Sequence, residues 1–346
     1  IFDDTGNIDD CAKGDLSLLE NFYVTTETQT NKDLKNFTMF DDFTPEYRVY
    51  QKMLYGPWGV PEVDKLPPIK INHPIVTPPS QIDQAKAADS IIGAIFVSAL
   101  FDMIGVGVES KSEGITKALL VGKPDMTWSH PRCNDHNMHF VRGTPTDDTS
   151  QSILIMRSII NCNINPSNSD SDVNVDGVKI IPAIFGKLLV DWIYNGHQEH
   201  KHTGGLGCGS TTFKVVSNPL FKTDPIQASK EVWIKSGKRI APNGSVMRIA
   251  SSGAFVFWDK KVVIKVAEQY ARVTHSDPRG VYSSIAAALI IAQYIQFNSG
   301  FTKEEPKIDQ ILEECKTYVE DIDDYIDDIN YYNNCKNVEE LKLSEE

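Results

Sequence analysis

The sequence predicts a mostly α-helical protein, and three observations lead there. Apolar residues recur at three- and four-residue spacing in several long segments, a single short stretch reads as strand, and no internal repeat of roughly 20–50 residues marks a solenoid or propeller. The chain has 346 residues, 41% hydrophobic and 23% charged, which suits one large domain or two ordinary ones and excludes wholesale disorder.

In chain order, residues 1–80 form an N-terminal extension. Seven of the 18 prolines fall between Pro57 and Pro79. Proline fixes φ, removes a donor and biases its predecessor to extended geometry, so 56–80 reads as an extended strap, with one short helix near Pro45–Leu54 before it. From Gln81 the texture becomes helical. Ala85, Ala88, Ile91, Ile92, Ile95, Phe96 and Ala99 give a broad apolar face. Ser150–Ile160 repeats the pattern, with Asp148 or Thr149 as its N-cap. Lys179–Tyr194 and Ser283–Phe297 are further helices, and Asn161–Gly177 is a polar loop. Phe255–Val266 reads as a strand or as a helix that turns Lys260 and Lys261 outward.

The formal net charge of −13 is unevenly placed. Residues 303–346 hold 15 acids and 5 lysines, so −10 resides there and −3 on the first 302 residues. Within this tail, Ile308, Leu312, Cys315, Val319, Ile322, Ile326 and Ile329 alternate at spacings of 4 and 3, which predicts one acidic amphipathic helix near 307–332. An acidic chain lacks the basic footprint of a general nucleic-acid binder. The longest apolar run, Ala286–Ile295, is shorter than the roughly 18–20 residues of a membrane span. Six scattered cysteines without a CxxC pair, and no basic stretch leading into an apolar one, set a cytoplasmic expectation. Residues 1–80 and the acidic helix are candidate protein contacts.

Three segments carry residues that packing does not require. Thr146-Asp147-Asp148-Thr149 leads directly into the helix at Ser150. Adjacent carboxylates repel unless they face solvent or share a cation, and with the flanking hydroxyls they form an all-oxygen donor set suited to Mg²⁺ or Ca²⁺. The same residues also read as an acidic capping turn. Asn243-Gly244-Ser245-Val246-Met247-Arg248, with His275 downstream, offers turn amides to an anion or a sugar edge, or is an ordinary turn before a helix. Gly205-Leu206-Gly207-Cys208-Gly209 could cradle phosphates on backbone N–H groups, though it has neither the P-loop ending nor the Rossmann spacing. Cys133/His136/His139 and His197/His200/His202 lack a complete zinc pattern.

In this order, the segments resemble the ADP-ribosylhydrolase (ADP-ribosylglycohydrolase, or dinitrogenase reductase-activating glycohydrolase) family over about residues 82–300. Asp102-Met103-Ile104-Gly105 with Glu109 looks like the family's first-helix Gly-Asp-x-x-Gly pattern, with Phe101 in place of its first Gly. Thr146–Thr149 matches the metal-binding Thr-Asp-Asp-Thr motif. Gly205, Gly207 and Gly209 are similar to the diphosphate loop, and Asn243–Arg248 to Asn-Gly-(Ser/Ala)-Ala-Met-Arg.

The resemblance implies a compact orthogonal all-α globule over 81–346. It implies two Mg²⁺ ions and hydrolysis of a glycosidic bond to ADP-ribose. Thr146, Asp147 and Asp148 would ligate metal, and the two aspartates would serve catalysis with Glu109 as acid or base. Gly205, Gly207, Gly209, Asn243, Gly244, Ser245, Met247 and His275 would bind substrate, which is ADP-ribose or an ADP-ribosylated protein. One departure stands out: the family's C-terminal Asp-x-Asp-Thr segment has no counterpart after His275, because Asp321-x-Asp323-Asp324 lacks the Thr and the glycines. Either the chain stops short of that motif, or it is a non-hydrolytic relative that binds ADP-ribose or serves as a structural subunit.

Overall fold

A computed structural model of the chain describes residues 76–106, 109, 145–164, 173–197, 205 and 207–335. The expected helix near Pro45–Leu54, most of the strap and the Cys133/His136/His139 group lie outside them. The chain divides into two compact units, Ile1–Glu62 with Met103–Thr144, and Val63–Asp102 with Pro145–Glu346. In the first, Glu109 is exposed and its amide donates to Gly105 O at 3.0 Å.

The architecture is all-α, as the spacing predicted. Its described helices are α1 Gln84–Gly105, α2 Asp147–Ile164, α3 Pro182–Asn195, α4 Ser210–Val216, α5 Pro225–Lys235, α6 Ala250–Ala254, α7 Lys260–Arg272, α8 Pro278–Asn298, α9 Ile308–Cys315 and α10 Ile326–Asn334. The one described sheet is a hairpin of β1 Val173–Val175 and β2 Val178–Ile180, closed by Asp176-Gly177 with both residues at positive φ. The segment read as helix from Lys179 therefore starts as strand. Pro182 then opens α3, where its missing N–H costs nothing. The ambiguous stretch at Phe255–Val266 resolves as a turn followed by α7, whose N-cap Asp259 accepts from the Lys261 and Val262 amides.

The core of the second unit is built on α8, packed against α6, α7 and α9. Ile285, Ala288, Leu289 and Ala292 of α8 meet Val263, Ala267 and Ala271 of α7 in one buried cluster. The approach of α6 to α8 requires a glycine: a Cβ on Gly253 would stand 2.5 Å from Ala288 O and 2.9 Å from Ile291 Cβ. Ile82 and Ala87 join this cluster, and the Asp83 amide donates to Ser299 O at 3.0 Å, which fastens the start of α1 to the end of α8.

The acidic tail corrects the expectation of one helix near 307–332. It forms α9, a 3₁₀ turn at Lys316–Tyr318, an extended Val319, a left-handed Asp321, a second 3₁₀ turn at Ile322–Tyr325 and then α10. Six acids between Glu320 and Asp328 would crowd one continuous helix, and breaking the helix separates them. The apolar seam survives the break, since Cys315, Val319, Ile322 and Ile329 are all buried. Ile311 replaces Ile308, which is exposed. Tyr282 of α8 donates to Leu312 O at 3.0 Å and accepts from Asn333 Nδ2 at 2.7 Å, clasping both halves of the tail.

Among the described residues, two helices, α1 and α8, are long and apolar enough to cross a membrane by length and composition. Counting uninterrupted apolar residues missed this, because Ser, Gly and Asp break the runs while the helix average stays high. α8 is a core helix with 56% of its most apolar window buried. α1 buries Ala87 and leaves Ile92, Phe96, Val97 and Phe101 exposed.

Candidate functional site

The Thr146–Thr149 turn is the N-terminus of α2, and it is held from outside the helix. Ser150 N donates to Thr146 O, so Thr146 is the residue that opens the helix. A helix begins with amides that have no intrahelical partner, and here the carboxylate of Asp102 on α1 takes two of them. Its Oδ2 accepts from Thr146 N at 2.9 Å and from Thr149 N at 3.2 Å. The same carboxylate accepts both hydroxyls, Thr146 Oγ1 at 2.7 Å on Oδ1 and Thr149 Oγ1 at 2.7 Å on Oδ2. Asp102 thereby acts as a remote N-cap, and the expected cap at Asp148 or Thr149 is corrected, since the helix already starts at Asp147. This releases Asp147 and Asp148 from capping. Both stand in the first turn, where the helix dipole favours negative charge.

Asp147 is nearly fully buried and Asp148 half-buried. Asp147 Oδ2 accepts from Gln151 Nε2 at 3.1 Å, and Gln151 Oε1 accepts from Arg248 Nη1 at 2.6 Å. Arg248 has no exposed surface at all. Its Nη2 donates to Tyr270 O at 2.8 Å and to Thr274 Oγ1 at 2.7 Å, and its guanidinium carbon lies 4.9 Å from the Phe185 ring centroid. Its Nε has no hydrogen-bond partner among the described residues. Burial lowers its pKa to about 9, against the opposing pull of Asp147 and Cys208.

Thr274 continues the chain of contacts to His275, whose Nδ1 is 2.7 Å from Thr274 Oγ1. A threonine hydroxyl that accepts from Arg248 can donate its own proton to Nδ1, which places the ring proton of a neutral imidazole on Nε2. Burial, reinforced by Arg248, lowers the His275 pKa to about 3, so the ring is neutral throughout the physiological range. The ring lies against Gly244, where a Cβ would stand 2.7 Å from Cε1 and 2.8 Å from Nε2. Gly244 belongs to the 3₁₀ turn Asn243–Ser245. Asn243 is exposed, Met247 is half-buried, and Ser245 is buried with its hydroxyl 3.4 Å from Gly280 O.

The glycine loop comes within electrostatic reach of both Asp147 and Arg248 through Cys208. Gly205 is buried against the Trp192 ring, with its amide donating to Ile193 O at 3.1 Å. Gly207 adopts φ +85°, and Gly209 is exposed at the start of α4. Cys208 interacts electrostatically with both Asp147 and Arg248, and its thiol is pushed above the ordinary range, first by burial and then by the Asp147 charge. The structure thus joins Thr146, Asp147 and Asp148, the glycine loop, the Asn243 turn and His275 within the second unit. Glu109 belongs to the first unit, and Asp321 and Asp323 lie at the break in the tail.

Sequence reasoning missed the residues that bind these pieces together. Asp102 was visible within the first-helix pattern and Arg248 within the Met-Arg pair, but neither was given a role. Gln151 and Thr274 are ordinary polar residues until the fold aligns them.

Among the described residues, no group of three or more His, Cys, Asp and Glu is gathered for a metal ion. Thr146, Asp147 and Asp148 nevertheless offer two carboxylates and a hydroxyl, and Mg²⁺ is usually held through one or two carboxylates while keeping several waters. The donor set therefore fits one such ion.

No curated protein and no solved structure matches this chain. A family model, ADP-ribosylglycohydrolase, matches residues 83–345, which include every residue of the site from Asp102 to His275. With its all-α core and its motifs meeting in one place, the chain belongs to the ADP-ribosylglycohydrolase family.

Proposed function

We propose that the chain is a Mg²⁺-dependent hydrolase that removes ADP-ribose from a modified target by cleaving a glycosidic bond. The observation that carries the reading is the start of α2 in a chain of this family. There, Asp102 takes the Thr146 and Thr149 amides, and Asp147 and Asp148 stand side by side in the first turn. Thr146, Asp147 and Asp148 would hold the ion. Bound there, it would polarise the ribose hydroxyls and lower the pKa of a water. The donors present suffice for one ion; a second would need ligands of the kind absent after His275.

The remaining steps fall to the chain. Amides of the Gly205–Gly209 loop and of the Asn243–Ser245 turn bind the diphosphate and ribose edges, with a neutral His275 backing the turn. Cleavage at an oxocarbenium-like centre calls for a carboxyl group that gives a proton to the leaving atom and takes one from water, the role the family resemblance assigns to Glu109. The test incubates the protein with mono-ADP-ribosylated substrates and Mg²⁺. Asp147→Asn/Asp148→Asn should abolish release of ADP-ribose, and Glu109→Gln should slow it by about 10²–10⁴-fold. Equal release by the wild type and the double variant would sink the proposal.

A second reading is favoured by the tail, where Asp321 and Asp323 sit in a break rather than in a metal turn. In that reading the chain binds ADP-ribose without hydrolysing it, or serves as a structural subunit. Calorimetric binding of ADP-ribose at micromolar concentration without turnover would favour a reader, and no binding would favour a scaffold.

A further inference from the structure

Gln151 stands one turn into α2, fully buried, and both ends of its amide are committed to charged groups. Asp147 can only accept from it when ionised, and Arg248 can only donate to it. One orientation of the amide satisfies both, with Nε2 toward Asp147 at 3.1 Å and Oε1 toward Arg248 at 2.6 Å. Arg248 is itself immobilised by Tyr270 O, Thr274 Oγ1 and the Phe185 face. A side chain inside a helix that packs on apolar neighbours would ordinarily be Leu or Met. An amide here is accounted for by what it connects.

We infer that Gln151 is a positioning residue: it transmits the fixed position of Arg248 to Asp147, setting the orientation of that carboxylate while holding the guanidinium one amide away from it. The spacing matters. A guanidinium paired directly with Asp147 would compensate the negative charge that a cation requires, whereas an amide orients the carboxylate and leaves its charge in place. The orienting role stands on the contacts alone. Its consequence for cation affinity rests on the proposed function.

Two variants test the inference. Gln151→Met keeps the length and removes both contacts. Gln151→Glu keeps an acceptor for Arg248, and so preserves the buried guanidinium, but cannot donate to Asp147. In crystal structures of the metal-free full chain, the Asp147 carboxylate should leave its wild-type position by more than about 1 Å in each variant, the scale on which such sites lose function. An unmoved Asp147, in either variant, overturns the inference. Mn²⁺ titration followed by electron paramagnetic resonance provides the second readout. Loss of the group that orients a metal ligand typically weakens binding about 10- to 100-fold, and this is expected for both variants, even though Glu adds a negative charge. If the wild type binds no Mn²⁺, the cation reading fails, and the crystallographic result still decides the role of Gln151. If Asp147 moves and the Mn²⁺ Kd stays within twofold, Asp147 is not the ligand, while its hold by Gln151 stands.

Discussion

Burying His275 as a neutral ring makes stability depend on pH in a direction and range that the structure sets. The folded pKa is about 3, lowered by burial and by Arg248, against an ordinary 6.5. As pH falls through 6.5 the unfolded chain takes up a proton at this histidine and the folded chain does not. The unfolded state binds more protons, so stability falls with falling pH, and the loss levels off near pH 3. At pH 5 the linkage amounts to roughly 2 kcal/mol relative to pH 8. Replacing the ring with an uncharged amide isolates this contribution from the other seven histidines and from the carboxylates. The assay is urea unfolding of the wild type and His275→Gln at pH 8, 7, 6 and 5. The difference in unfolding free energy between the two should shrink by about 2 kcal/mol from pH 8 to pH 5. A difference constant within about 0.5 kcal/mol would refute the claim that His275 is held neutral.

Three further substitutions probe the frame around the site. Gly253→Ala forces a methyl to within 2.5 Å of Ala288 O, a backbone atom that cannot swing aside, and should lower stability by about 1–3 kcal/mol. Gly93→Ala on α1 meets nothing within 4 Å and should be neutral or slightly stabilising, so thermal unfolding of the pair separates close packing from helix propensity. Arg279 binds the buried Asp277 through Nε and Nη2, each at 3.0 Å, and reaches Asp328 of α10 through Nη1 at 3.0 Å. Arg279→Ala leaves Asp277 with the Trp233 Nε1 contact at 2.9 Å and the backbone amide of residue 279 at 3.0 Å, but without its cation, and should cost about 2–4 kcal/mol. It should also expose the acidic tail to a Glu-specific protease, and unchanged cleavage would show that Arg279 does not hold the tail.

Helices with apolar stripes were legible because burial on one face imposes a 3.6-residue period on the sequence. α2, α3 and α8 announce themselves this way. Boundaries were less legible, since they depend on partners distant in the chain. Asp102 caps a helix that starts 45 residues later, so nothing local at Asp148 or Thr149 could reveal that neither is the cap. The tail shows the opposite case: its seam of apolar residues was read correctly as a buried face, but the seam is compatible with both an unbroken helix and a broken one. Charge crowding and contact with α8 select the broken form.

The sequence by itself determined the all-α class, the acidic tail and its buried seam, and the set of oxygen-rich and glycine-rich segments that place the chain in its family. Each of these follows from local spacing or residue chemistry. Only the tertiary structure decided how the segments cooperate. Arg248, 97 residues from Gln151 and 26 from Thr274, joins the carboxylate of one motif to the histidine of another. A guanidinium removed from water must find acceptors wherever the fold can bring them, and periodicity carries no record of which residues, far apart in sequence, will be close enough to serve.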